Sequence, residues 1–135
     1  MPEASKHPGV IGPTAQRPIA YLASPYSSPS REIRAHRFVA ATRACGALLD
    51  LGVHAYSPIV HSHSISLLFD VRHDWEFWKA HDTSFISVSW IMYILAIDGW
   101  EESVGIKAER EICKEQNIPT VLIDIQANMI PEIIT

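Results

Sequence analysis

Cysteine is scarce in this chain: only Cys45 and Cys113 occur among 135 residues, with no CxxC spacing. No redox or metal-binding cysteine pair can therefore be read, and both residues fall on or near the apolar side of expected helices. Such cysteines behave as small core residues in a reducing compartment. Long apolar runs are also missing. None approaches the roughly 20 residues that a membrane span needs, and no hydrophobic signal core opens the chain, so no membrane partner and a cytoplasmic location are the expectations. Positive charge is in short supply, with a formal net charge of -4. That balance argues against polymeric nucleic acid as a partner, because backbone binding needs a broad basic field. Internal repeats and low-complexity tracts are absent, and the length suits one compact domain with a real core.

What is present reads as alternating strands and helices. Residues 1–17 carry three prolines and two glycines without an apolar period, which predicts a flexible lead-in to a single domain over residues 18–135. Ile19 to Ala23 is a short apolar run ending at Ser24-Pro25, as a buried parallel strand feeding a loop would. Ser28-Pro29 resembles a helix cap, and Phe38, Ala41, Cys45, Leu48 and Leu49 then recur at helical spacing up to Gly52. Val53 to Ser57 reads as a second strand, followed by a loop holding Pro58 and His61-Ser62-His63-Ser64. A helix over Trp75–Ser87, a doubly buried strand over Trp90–Ile97, a helix over Ser103–Asn117 and a strand over Thr120–Asp124 complete the pattern. Ile130 to Thr135 is apolar enough to pack back as a short helix or strand, or to meet a partner subunit. The order predicts a small doubly wound α/β domain, with a parallel sheet of four to five strands and helices on both faces. Ligands of such sheets sit beyond the carboxyl ends of the strands.

Two acidic residues stand where helical periodicity calls for apolar ones. At about 100° per residue, Ile106, Ala108, Ile112 and Cys113 form one stripe of the Ser103–Asn117 helix, and Glu109 falls inside it. Asp82 falls likewise among Trp75, Trp78, Phe85 and Ile86, while Glu76, Thr83 and Ser84 face away. An inward carboxylate costs on the order of 2–5 kcal/mol unless it is paired or used. A single one is as readily a structural hydrogen-bond acceptor; two on different helices point to one shared pocket. Ser103-x-Gly105-x-x-x-Glu109 adds a glycine and free amides at a helix start, an arrangement that suits an anion but equally a plain serine cap.

Tyr21-Leu22-Ala23-Ser24-Pro25-Tyr26, Tyr56-Ser57-Pro58-Ile59, Asp82 and Ser103-x-Gly105-x-x-x-Glu109 together resemble the nucleoside 2-deoxyribosyltransferase superfamily, which also holds deoxynucleoside 5'-monophosphate N-glycosidases. His61-Ser62-His63, Trp75-x-x-Trp78 and Asp98-Gly99-Trp100-Glu101-Glu102-Ser103 are closer still to its DUF1937 branch. The resemblance, running from Pro18 to Asp124, implies cleavage or transfer of an N-glycosidic bond without a cofactor. Glu109 matches the nucleophile that attacks C1' of the sugar, Asp82 the acid at the departing base, and Tyr21 the tyrosine that steadies the nucleophile. Ser103 stands where transferases often carry aspartate, and its neutrality favours a 5'-phosphate. Ser24, Ser27, Ser28, Arg31, Arg34 and the Gly105 amide are then the phosphate donors, against which stands a capped, solvated first turn.

His61 and His63 would lie on one side of an extended chain, half a metal site at most, and are read as hydrogen-bond donors to sugar or phosphate, with no metal expected. Asp98 sits on the same strand rim. Trp75, Trp78 and Trp100 could stack on a base, Trp100 best placed of the three, although core packing or a dimer face is the commoner use of such rings. The loop Ser24–Pro29 lacks the glycine-rich form of the characterised glycosidases. By analogy a homodimer or higher homo-oligomer is expected. Two other classes of function remain beside the enzyme: a nucleotide-binding or sensing module without turnover, and a structural subunit whose tryptophans serve an interface.

Overall fold

The structure, a computed structural model, describes residues 12–72, 75–126 and 128–134. Most of the expected flexible lead-in, residues 1–11, lies outside the described residues, as does the side chain of Trp75. Thr14 and Arg17 form a turn, and the Arg17 guanidinium donates to the carbonyl of Gln116 at 3.3 Å.

Five strands and four helices follow in the order β1 (Ile19–Ala23), α1 (Arg31–Asp50), β2 (Ala55–Tyr56), α2 (Pro58–Leu68), α3 (Trp75–Ile86), β3 (Ser89–Leu95), α4 (Val104–Glu115), β4 (Thr120–Ile125) and β5 (Pro131–Ile134). The sheet order is β2-β1-β3-β4-β5. The first four strands are parallel and β5 runs antiparallel to β4 at the edge, so the sheet is mostly, not wholly, parallel. This is the doubly wound α/β fold that the alternating pattern predicts.

Strand alternation sorts the core into two layers. Tyr21 and Ala23 of β1 join Ile86, Met92, Ile94, Ile106, Ile112 and Cys113 under α3 and α4. Leu22 joins Ala44, Cys45, Leu48, Leu95 and Ile123 under α1. The cysteines are free and buried, one in each layer.

Three local readings change. Helix α1 is capped by Ser30, whose hydroxyl accepts from the Ile33 N–H at 3.2 Å, and not by Ser28. Ser28 instead accepts from the Ser30 N–H at 3.1 Å, two residues before the cap. The expected loop after β2 is the helix α2: Ser57 caps it by accepting from the Val60 N–H at 3.2 Å, and Pro58 opens its first turn. Its serines and histidines hid it, since they leave no apolar stripe. The apolar tail becomes β5. At the other end of α1, Gly52 takes a left-handed φ of +83° and donates to Leu49, which ends the helix.

Candidate active site

Glu109 lies in the second turn of α4, whose start is fixed by Ser103: its hydroxyl accepts from the Ile106 N–H at 3.2 Å. Helix periodicity then carries Glu109 inward between Ile106 and Ile112, where it is 5% exposed. The Tyr21 hydroxyl donates to its carboxylate oxygen Oε2. Burial pushes the Glu109 carboxyl up to about 8; the Tyr21 hydrogen bond opposes the rise and the neighbouring Asp82 charge adds to it.

Asp82 reaches the same place from α3 and is 8% exposed. Its carboxyl is also raised by burial, while His81, Tyr21 and His61 pull it down. His81 Nδ1 stands 3.4 Å from Asp82 Oδ1. Tyr56 closes the cluster from β2, its ring stacked on Phe85 at 4.0 Å and its buried hydroxyl without a hydrogen-bond partner. Burial first, and then the charges of Asp82 and Glu109, raise the Tyr56 phenol. Two inward carboxylates thus share one low-dielectric pocket, an arrangement that can attack, hold or move a proton.

The pocket opens into a cavity of about 780 Å³ at the carboxyl ends of β1 and β3, where the strand order switches direction. Ser24, His63, Asp82, Asp98, Ser103, Gly105 and Glu109 all line it. Ser24 is 6% exposed and its hydroxyl has no partner, so a donor–acceptor pair is left for a ligand. A Cβ added at Gly105 would lie 3.8 Å from the Ser103 hydroxyl and 4.0 Å from a Glu109 carboxylate oxygen. A side chain at position 105 would thus begin in ordinary van der Waals contact with both groups, at the edge of the acid pocket.

The family model of a domain of unknown function, DUF1937, matches residues 17–125, from just before β1 to the end of β4. The chain belongs to the DUF1937 family. Comparison with curated proteins finds no match. Among the described residues, those that line the cavity of this DUF1937 protein all lie within the matched span.

Several expected residues lie elsewhere. Ser28, Arg31, Arg34, His61 and Trp100 do not line the cavity. The Arg34 guanidinium donates to the Ser28 carbonyl and ties down the loop before α1. The partly buried ring of Trp100 packs against the core under α4, and among the described side chains Trp78 is the tryptophan at the cavity wall, its indole N–H donating to the Arg72 carbonyl at 2.7 Å. His61 and His63 do not share a side, because two residues along a helix turn the chain about 200°. His61 stacks on His81 at 5.5 Å, whereas His63 stacks on Phe38 at 4.1 Å and meets the Tyr26 hydroxyl at 2.7 Å through Nδ1. Among the described residues no group of three or more His, Cys, Asp or Glu is placed to hold a metal ion.

Arg37 is the residue that sequence reasoning passed over. Among the described lining residues of the DUF1937 site it is the one Arg or Lys, in a cavity that Asp82, Asp98, Glu102 and Glu109 also line. Its guanidinium donates to the carbonyls of Ser27 at 2.9 Å and Asp98 at 3.5 Å, joining the loop after β1 to the loop after β3. Gly99 permits this contact. Its φ is +95°, and an added Cβ would sit 2.2 Å from Arg37 Nη2. Arg31, Arg34 and Arg37 recur at helical spacing, and no pattern in the residues singles out the one that reaches the rim.

Proposed function

We propose that this protein cleaves or transfers the N-glycosidic bond of a nucleoside or nucleoside 5'-monophosphate, with Glu109 as nucleophile. The observation that carries the reading is the buried Glu109–Tyr21–Asp82 cluster at the floor of a cavity large enough for a nucleotide. It agrees with the superfamily that the Tyr21, Asp82 and Ser103-x-Gly105-x-x-x-Glu109 motifs resemble. Glu109 attacks C1' and displaces the base, forming a glycosyl ester while the base nitrogen takes the Asp82 proton. Water, or a second base, then releases the sugar and returns a proton to Asp82. The reaction needs the proton that the two buried acids share to pass to Asp82 once substrate is bound, and the Tyr21 hydrogen bond favours this by stabilising the charged form of Glu109.

A 5'-phosphate suits the same cavity: Arg37, the unpartnered Ser24 hydroxyl and the free amides at the start of α4 border it, and Ser103 brings no repelling charge. Leu67, Leu68 and Phe69 are 71%, 85% and 71% exposed next to the cavity-lining Ser66 and Val71, which supports an assembly of two or more copies. Sedimentation as a monomer at micromolar concentration would remove that support.

One observation favours a second reading, a nucleotide-binding module without turnover: with its carboxyl raised to about 8, Glu109 is largely neutral at pH 7 in the empty pocket. A neutral acid binds but does not attack. Release of free base from a panel of nucleosides and nucleoside 5'-monophosphates, with wild type beside Glu109→Ala, separates the two. Release by wild type and not by the variant is the expected result. Tight nucleotide binding without release by either protein would transfer the site to the second reading.

A further inference from the structure

His81 touches Asp82 but does not line the cavity. The side chain of Asp82 is 11% exposed and that of His81 29%, and of the two only Asp82 borders the cavity. Its ring is held on three sides: parallel to His61 at 5.5 Å and 10°, edge-on to Trp78 at 5.5 Å, and tilted against Phe85 at 5.1 Å. No other feature of the site needs a histidine there, and an apolar ring would fill the same space without bringing a charge to a buried carboxyl.

The surroundings of Asp82 make that charge count. Tyr21 on β1, Tyr56 on β2 and Glu109 on α4 face it as neutral or negative groups. His81 on its own helix and His61 on α2 are the two groups near it that can become positive. Histidine changes charge within the ordinary pH range. We propose that His81 is a positioning residue for Asp82, holding its carboxyl and setting by its own charge when that carboxyl keeps a proton. His61 supports the ring by stacking. The consequence for catalysis rests on the glycosidic reading above; the coupling between the two side chains does not.

Burial raises the Asp82 carboxyl, and the hydrogen bond and charge of His81 are the largest effects opposing it. Loss of His81 should therefore move Asp82 further up. Carbon-13 titration of the Asp82 carboxyl, run alongside the pH profile of base release, reads this directly in wild type, His81→Gln, His81→Phe and His81→Arg. His81→Phe keeps an aromatic ring against His61, Trp78 and Phe85, so a folding loss in the glutamine variant leaves the question answerable. The Asp82 midpoint should rise by about one pH unit in the glutamine and phenylalanine variants, with the pH profile following it, and return in His81→Arg. An unmoved midpoint in both neutral variants, or an equal rise in His81→Arg, overturns the proposal. A protein with no base release fails the glycosidic reading alone, and the carboxyl titration still decides this one.

Discussion

Tyr21 and Leu22 are neighbours on β1, both wholly buried, and they point to opposite faces of the sheet. Under α1, Leu22 meets only small and apolar partners: Ala44, Cys45, Leu48, Leu95 and Ile123. Under α3 and α4, Tyr21 meets a core of similar composition into which Glu109, Asp82 and Tyr56 intrude. Burial of apolar area stabilises both layers by roughly 25 cal/mol per Å². Only the second also buries groups that water would hold charged, which gives up stability for reactivity. The difference teaches that the acids are not a packing requirement of this fold, since the sheet's other face is closed without any.

Removing a charge from the reactive face should bring it closer to the other's indifference to pH. Glu109 titrates near 8 in the folded chain against an ordinary 4.5, so the folded state binds that proton more tightly. Stability contributed by the protonated form is complete below about pH 4.5 and declines as pH rises to about 8, by at most roughly 5 kcal/mol. Chemical denaturation at a series of pH values should show that decline in wild type and a smaller one in Glu109→Gln, where the raised Asp82 carboxyl remains, with the variant the more stable protein at pH 8. A wild-type curve that stays level between those limits would contradict the burial of an ionisable Glu109.

Asp82→Asn sharpens the same contrast through activity. Base release should fall about 10²–10⁴-fold, the usual worth of a general acid, while stability holds or improves because a buried ionisable acid gives way to a neutral amide. On the α1 face the balance inverts. Leu48 is 3% exposed, and Leu48→Ala should cost about 2–5 kcal/mol in denaturant unfolding while leaving KM and kcat of the folded protein in place. The smallest effect belongs to Gly99→Ala, which needs both a left-handed φ and a shift of Arg37. It should lose about 1–3 kcal/mol and raise KM more than it lowers kcat, because Arg37 bridges the rim and stands away from the acids.

The reactive face was legible from residues alone to the extent that periodicity exposes misfits. Glu109 breaks an apolar stripe of a strongly amphipathic helix, and its inward position followed from spacing; Asp82 did the same more weakly. The parallel strands were readable because Ile19 to Ala23 and Trp90 to Ile97 are short, nearly unbroken apolar runs, the second of which covers most of Ser89–Leu95. Helix α2 was not, because its polar surface faces the cavity and only Pro58 is buried, which removes the stripe that identifies a helix. The capping signal Ser57-Pro58 was nevertheless there to be read. Arg37 was invisible for a different reason: its importance comes from the loop of Asp98 and Gly99 folding over it, a contact between residues 61 positions apart. Trp100 looked like a rim aromatic because it follows a strand end, but the turn into α4 rotates its ring against the core.

The central claim is that Glu109 carries the sugar during the reaction, and the most direct measurement is the mass of the protein quenched during turnover. With a 2'-fluoro analogue of the active substrate, the electron-withdrawing fluorine destabilises the oxocarbenium-like transition states, so the glycosyl ester, once formed as the base departs, is released slowly enough to be weighed. The expected result is one added pentosyl group, located by fragmentation on the peptide holding Glu109 and missing from Glu109→Gln. Base release from wild type with no added mass, or with the added mass on another residue, would contradict the account.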